Sequence, residues 1–128
     1  MTAAKKLLLI TSLVLLCACT QRNIAGQYFG IIPLPDGSKM EIELTLNPDY
    51  TFSIQTIYQE NLAASFKDSG TYGIADKKYI TLRYPGDSIK FLKKDEDGSL
   101  NILTVEGKEI KGPLKNSFKL RKKTNLLF

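Results

Sequence analysis

The sequence predicts an all-β domain: a small antiparallel meander of seven or eight strands that closes into a barrel or half-barrel. Three observations predict it. From residue 26 onward apolar and polar residues alternate with period two, and no stretch there keeps the 3.6-residue period of an amphipathic helix. Turn residues, chiefly Pro, Gly, Asn and Asp, interrupt the alternation at short, regular spacing. A sheet this small must also hide its edges and bury one aromatic-rich face, which closure achieves.

Length and composition agree. A chain of 128 residues has room for one domain. With 43% hydrophobic and 24% charged residues it falls outside the disordered and fibrous classes. Two features stand out: there is no His, and both cysteines, Cys17 and Cys19, precede residue 20.

The first segment reads as an address. Lys5 and Lys6 form a positive head, and Leu7 to Leu16 is an uncharged run of signal-peptide length. That run is too short to cross a bilayer, which takes roughly 20 apolar residues. Leu16-Cys17-Ala18-Cys19 then has the pattern of a lipoprotein signal, with small Ala18 before the Cys that would carry lipid. Cys17 fits that role worse, because Leu16 would then fill the small site before it. The expected organisation is a signal peptide over 1–18, a lipidated N-terminus and tether over 19–25, a β-barrel domain over 26–122, and a tail over 123–128. The plainer alternative is an ordinary signal peptide cut nearby, which leaves a free periplasmic protein. Each buried acyl CH₂ contributes about 0.8 kcal/mol, so two or three chains on Cys19 would hold the protein to a membrane permanently. Thr20 after the Cys, in place of Asp, points to the outer membrane.

Loss of residues 1–18 removes two of eighteen basic residues, leaving sixteen against thirteen acidic ones, a net charge of +3. That is too mild and too dispersed for nucleic acid. Lys119, Arg121, Lys122 and Lys123 read as a solvated final strand and tail.

Within the domain, Met40, Ile42, Leu44 and Leu46 alternate with Lys39, Glu41, Glu43 and Thr45 in a half-buried strand. Asn47-Pro48-Asp49 turns the chain, and Tyr50 to Thr56 alternates as the partner strand. A looser stretch, Glu60 to Ala64, leads into a strand from Phe66 to Ile74, where Gly70 and Gly73 suggest a bulge or bend. Tyr79–Tyr84, Ser88–Lys93, Leu100–Val105 and Ser117–Arg121 complete the strands. Between them lie turns at Ala75–Lys78, Pro85–Asp87, Asp95–Gly98 and Glu106–Lys108.

Catalytic chemistry is poorly supplied. Metal or redox work at a soft site needs His, Cys or Met, and the mature chain would hold only Met40 and a lipid-committed Cys19. No metal and no other cofactor is expected. A nucleophilic Ser would lack an imidazole base. Glu41 and Glu43 read as an exposed acidic face beside Lys39, and Asp95-Glu96-Asp97-Gly98 as a hairpin turn, since Lys93 stands where a calcium loop needs a ligand. Two features stay open. Twelve Tyr and Phe residues could fill the barrel or line a ligand cavity, with filling the expectation for so small a domain. The stiff loop Pro33, Leu34, Pro35, Asp36, Gly37 is a candidate contact site for a partner, or else a plain turn.

The domain resembles a known family. Gly26-Gln27-Tyr28-Phe29-Gly30-Ile31-Ile32-Pro33 is similar to the opening motif of the N-terminal domain of the NlpE lipoproteins, linked to envelope stress and copper resistance. Leu44-Thr45-Leu46-Asn47-Pro48-Asp49-Tyr50-Thr51-Phe52 resembles that family's first hairpin. Gly70-Thr71-Tyr72, Ile80-Thr81-Leu82, Ser99 to Leu103 and Gly107 to Ile110 follow in the same order. The resemblance implies a small lipocalin-like barrel on an envelope lipoprotein. It also implies a non-enzymatic role: protein contact with a periplasmic sensor in envelope-stress or surface sensing. A carrier of a small apolar ligand is the alternative. Copper binding does not carry over. The family's C-x-x-C after the opening Pro falls on Leu34 and Gly37, and the second domain of longer members has no counterpart in these residues.

Overall fold

Period-two alternation becomes a closed wall when every second side chain faces one shared interior. The computed structural model describes residues 24–59 and 64–123. It shows eight strands in chain order: β1 (Gly26–Pro33), β2 (Lys39–Leu46), β3 (Thr51–Tyr58), β4 (Ser65–Ala75), β5 (Tyr79–Arg83), β6 (Ile89–Lys94), β7 (Leu100–Ile102) and β8 (Lys119–Lys122). Each pairs antiparallel with the next, and β8 returns to β1 through Tyr28↔Lys122 and Phe29↔Arg121. One 3₁₀ turn, Lys115–Ser117, precedes β8. The expected all-β meander is thus an eight-stranded closed barrel. The signal peptide, Cys19 and residues 124–128 of the tail lie outside the described residues.

The interior follows the alternation. Tyr28 and Ile32 of β1, Ile42, Leu44 and Leu46 of β2, Phe52 of β3, Tyr72 of β4, and Ile80 and Leu82 of β5 are buried together with Leu92, Leu100 and Leu120. The up-and-down path gives the barrel two different ends. At one end the chain enters at Gly26 and leaves after Lys122, beside the turns following β2, β4 and β6. Ile24 is fully buried there, and its carbonyl accepts a 2.5 Å hydrogen bond from the Tyr28 hydroxyl. The Tyr72 hydroxyl donates to the Asn47 carbonyl at 2.7 Å on the same end, where the Tyr50 ring lies 5.5 Å from that of Tyr72. This end is sealed. The opposite end carries the connections after β1, β3, β5 and β7.

Three details depart from the expected elements. No bulge forms at Gly70: β3 and β4 pair one-to-one from Thr51↔Thr71 to Ile57↔Ser65. Gly70 is required instead by a close crossing, since a Cβ there would lie 2.1 Å from the Arg83 carbonyl oxygen. The strand from Leu100 stops at Ile102, because Thr104 begins a turn closed by Gly107 N–H to Thr104 C=O at 2.9 Å. Ser117 belongs to the 3₁₀ turn, and β8 starts at Lys119.

Candidate functional site

Most charged side chains stay on the outer wall. Glu43 pairs with Lys123, Lys93 with Glu109 at 2.8 Å, and Lys119 with Asp95 at 3.3 Å, all partly or fully solvent-facing. The Glu41 carboxylate accepts from the Gln59 amide at 3.0 Å. Among the described residues no three His, Cys, Asp or Glu side chains come together as a metal site would need. Met40 faces inward and packs against the core.

The loop after β1 is a built turn. Leu34 N–H donates to the Ser38 carbonyl at 2.8 Å, and Gly37 N–H to the Leu34 carbonyl at 3.0 Å. The Asp36 carboxylate accepts from both Ser38 N–H (2.9 Å) and Ser38 Oγ (2.5 Å). Those bonds, the side-chain one foremost, hold the Asp36 carboxyl below the usual carboxylate range. Gly37 has φ 87°, a conformation that glycine takes without penalty. Pro35, Asp36 and Gly37 are exposed, Pro33 and Leu34 half-buried. The two positions of the family's cysteine pair, Leu34 and Gly37, are the first and last residues of this turn.

Around this loop the open end collects apolar surface. Ile31, Phe66, Ile89, Val105 and Leu114 are exposed large hydrophobics, Val105 at 89% and Phe66 at 58%. Each lies at a strand end, or in a connection, on the side away from Gly26, whereas Tyr50 and Tyr79, also exposed, lie at the sealed end. Here β4 also outruns its neighbour. It pairs with β5 only from Thr71↔Arg83 to Ala75↔Tyr79, so Ser65–Gly70 has β3 on one side and no strand on the other.

Beneath the open end the barrel is not filled. A cavity of about 250 Å³ is walled by Ile32, Met40, Ile42, Ile54, Leu82 and Ile102, and reaches Ile89 and Val105 at the mouth. Filling therefore holds for the sealed half only. Tyr84 lines the cavity, its ring edge-on to Phe52 with centroids 5.0 Å apart. Its hydroxyl is buried without a hydrogen-bond partner. Burial, followed by the negative charge of Asp68, pushes its pKa up to about 12. Lys90, inward by register opposite Leu82, holds its ammonium 5.3 Å from the centre of the Tyr84 ring.

The sequence profile of the NlpE N-terminal domain matches residues 28–113, two-thirds of the chain. The chain belongs to the NlpE N-terminal domain family. Two solved structures share its barrel. A candidate lipoprotein from Shewanella oneidensis superposes with TM-score 0.66 at 27% identity, over 78% of this chain and 89% of that one. The Cpx pathway activator NlpE from Escherichia coli superposes with TM-score 0.59 at 22% identity, over 68% of this chain. The present chain spans 46% of that NlpE, and the likeness is one of fold. No curated protein matches the sequence.

Proposed function

We propose that this NlpE-family chain is a non-enzymatic lipoprotein of the bacterial outer membrane, held by lipid on Cys19 and facing the periplasm. In this reading it acts by protein contact in envelope-stress or surface sensing. One observation carries it. Among the described residues, five of the seven exposed large hydrophobics gather at the end of the barrel opposite the point where the N-terminal segment joins, and patches of this kind mark interaction sites. A tether at Cys19 would hold the sealed end toward the membrane and present the open end, with the Pro33–Gly37 turn on its rim, to the periplasm. Two relatives support the setting: one is described as a candidate lipoprotein, the other as the activator of a signalling pathway.

The partner in this reading is a periplasmic sensor protein.

The test is a signalling reporter in the host, driven by raised levels of the chain. The wild-type protein should incorporate an alkyne-palmitate label and switch the reporter on. Cys19→Ala should abolish the label. A double variant, Val105→Asp with Leu114→Asp, should keep label and fold yet leave the reporter silent. Unchanged reporter output from the double variant would remove the open end from the account.

A further inference from the structure

The unfilled half of the barrel has a polar group aimed at nothing. A buried hydroxyl left without a partner costs free energy, and the great majority of such groups are satisfied in native proteins. The Tyr84 hydroxyl is the buried side-chain polar atom among the described residues that breaks this rule, and it does so on the wall of the cavity. Apart from Thr104 and Lys90, apolar residues make up the rest of the wall, with Ile32, Met40, Ile42, Ile54 and Ile102 contributing no polar side-chain atom. Lys90 breaks the alternation by standing at an inward position near the mouth, while Ile89 beside it faces out and is 41% exposed. A polar group at the mouth, an apolar chamber behind it and apolar side chains on the rim together describe a site for an amphiphile.

We propose that the barrel binds one single-chain acyl amphiphile through its open end. The hydrocarbon enters the chamber, and an oxygen of the head accepts a hydrogen bond from the Tyr84 hydroxyl beside Lys90. The cavity, at about 250 Å³, lies just under the roughly 300–1,000 Å³ of pockets that hold drug-sized ligands. That leaves room for one chain of medium length and none for a two-chain lipid. A free fatty acid and a single-chain phospholipid share this chemistry. The inference shares the open end with the protein-contact reading but stands on the interior, which is what Tyr84→Phe and Ile102→Trp probe.

Native mass spectrometry tests it on the mature chain carrying Cys19→Ala, which keeps the whole barrel and avoids detergent. Two probes are titrated separately: decanoate, and lysophosphatidylglycerol with a decanoyl chain. A saturable one-to-one adduct is expected with at least one of them. Decanoate alone identifies a free fatty acid site, the lysolipid alone a lipid site, and both together the shared acyl chemistry. Tyr84→Phe should stay folded and weaken the adduct roughly three- to tenfold, the loss of one hydrogen bond. Ile102→Trp, which fills the chamber, should abolish it, with circular dichroism confirming the barrel. No saturable adduct with either probe would overturn the proposal. So would equal binding by wild type, Tyr84→Phe and a folded Ile102→Trp.

Discussion

Two tyrosines show how one residue type can act with opposite sign. The hydroxyl of Tyr28 is buried and donates to the carbonyl of Ile24 at 2.5 Å, whereas that of Tyr84 is buried and donates to nothing. Tyr28→Phe leaves a buried carbonyl unsatisfied and should destabilise the fold by about 1–3 kcal/mol. Tyr84→Phe removes an unsatisfied donor at almost constant shape and should be neutral or stabilising by up to about 1 kcal/mol. Urea unfolding of the two variants checks the pair; a matching loss in both would mean Tyr84 has a partner. Both phenols are pushed up to about 12 from 10.0, first by burial and then by Tyr72 for Tyr28 and Asp68 for Tyr84. The folded state therefore keeps protons that the unfolded chain releases. Stability is whole below pH 10 and should decline as the pH rises toward about 12, and less so in the double Phe variant. Alkaline thermal melts read this directly.

At the scale of the element, the hairpin turns carry the local instructions. Asp36, Asp49 and Asp97 repeat one device, in which a carboxylate accepts both the N–H and the hydroxyl of the Ser or Thr two residues on. Each carboxyl is lowered from 3.8, mainly by the side-chain bond, and each is exposed. A depressed carboxyl lends stability above its unfolded value and loses it as the pH falls through the folded one. Acid melts should therefore show an unfolding temperature that drops below pH 3.8, and a triple Asp→Asn variant should show a shallower drop. The turn between β4 and β5 is less well chosen. Asp76 and Lys77 both take positive φ, 52° and 62°, the geometry of a type I′ turn that prefers Gly second. Lys77→Gly should raise stability by about 0.5–1 kcal/mol, and a loss in chemical denaturation would show that Lys77 does something beyond turning the chain. These turns were legible because Asx chemistry is written in neighbouring residues. The Gly70 crossing was not, because the clash it avoids is with Arg83, thirteen positions away and a strand apart.

At the scale of the whole molecule, alternation and the need to hide the sheet's edges predicted a meander that closes, but not which residues close it or its two unequal ends. Seven strands stand out by spacing, and β1 completes the barrel through only two residue pairs to β8, a long-range match that no local pattern encodes. The half-empty interior was hidden for a related reason. Tyr84 and Lys90 meet across β5 and β6, and the residues Ile89-Lys90-Phe91-Leu92 carry apolar side chains on both faces. Phe91 faces outward because the connection after β7 packs over it, with Leu103 N–H donating to the Phe91 carbonyl at 3.0 Å and Gly107 close to its ring. The loop Pro33–Gly37 was visible as a stiff turn, yet its neighbours on the rim, Phe66, Val105 and Leu114, come from three other parts of the chain.

The central claim is that the open end of the barrel is the face that meets a partner, while the wall and sealed end do not. Photo-crosslinking in living cells tests it most directly, with a benzoylphenylalanine placed in turn at Gly37, Val105 and Leu114 on the rim and at Thr45 and Thr81 on the outer wall. The account predicts one discrete adduct of the same size from the rim positions and none from the wall positions. Adducts from the wall with none from the rim, or no adduct at all under conditions where the protein signals, would contradict it.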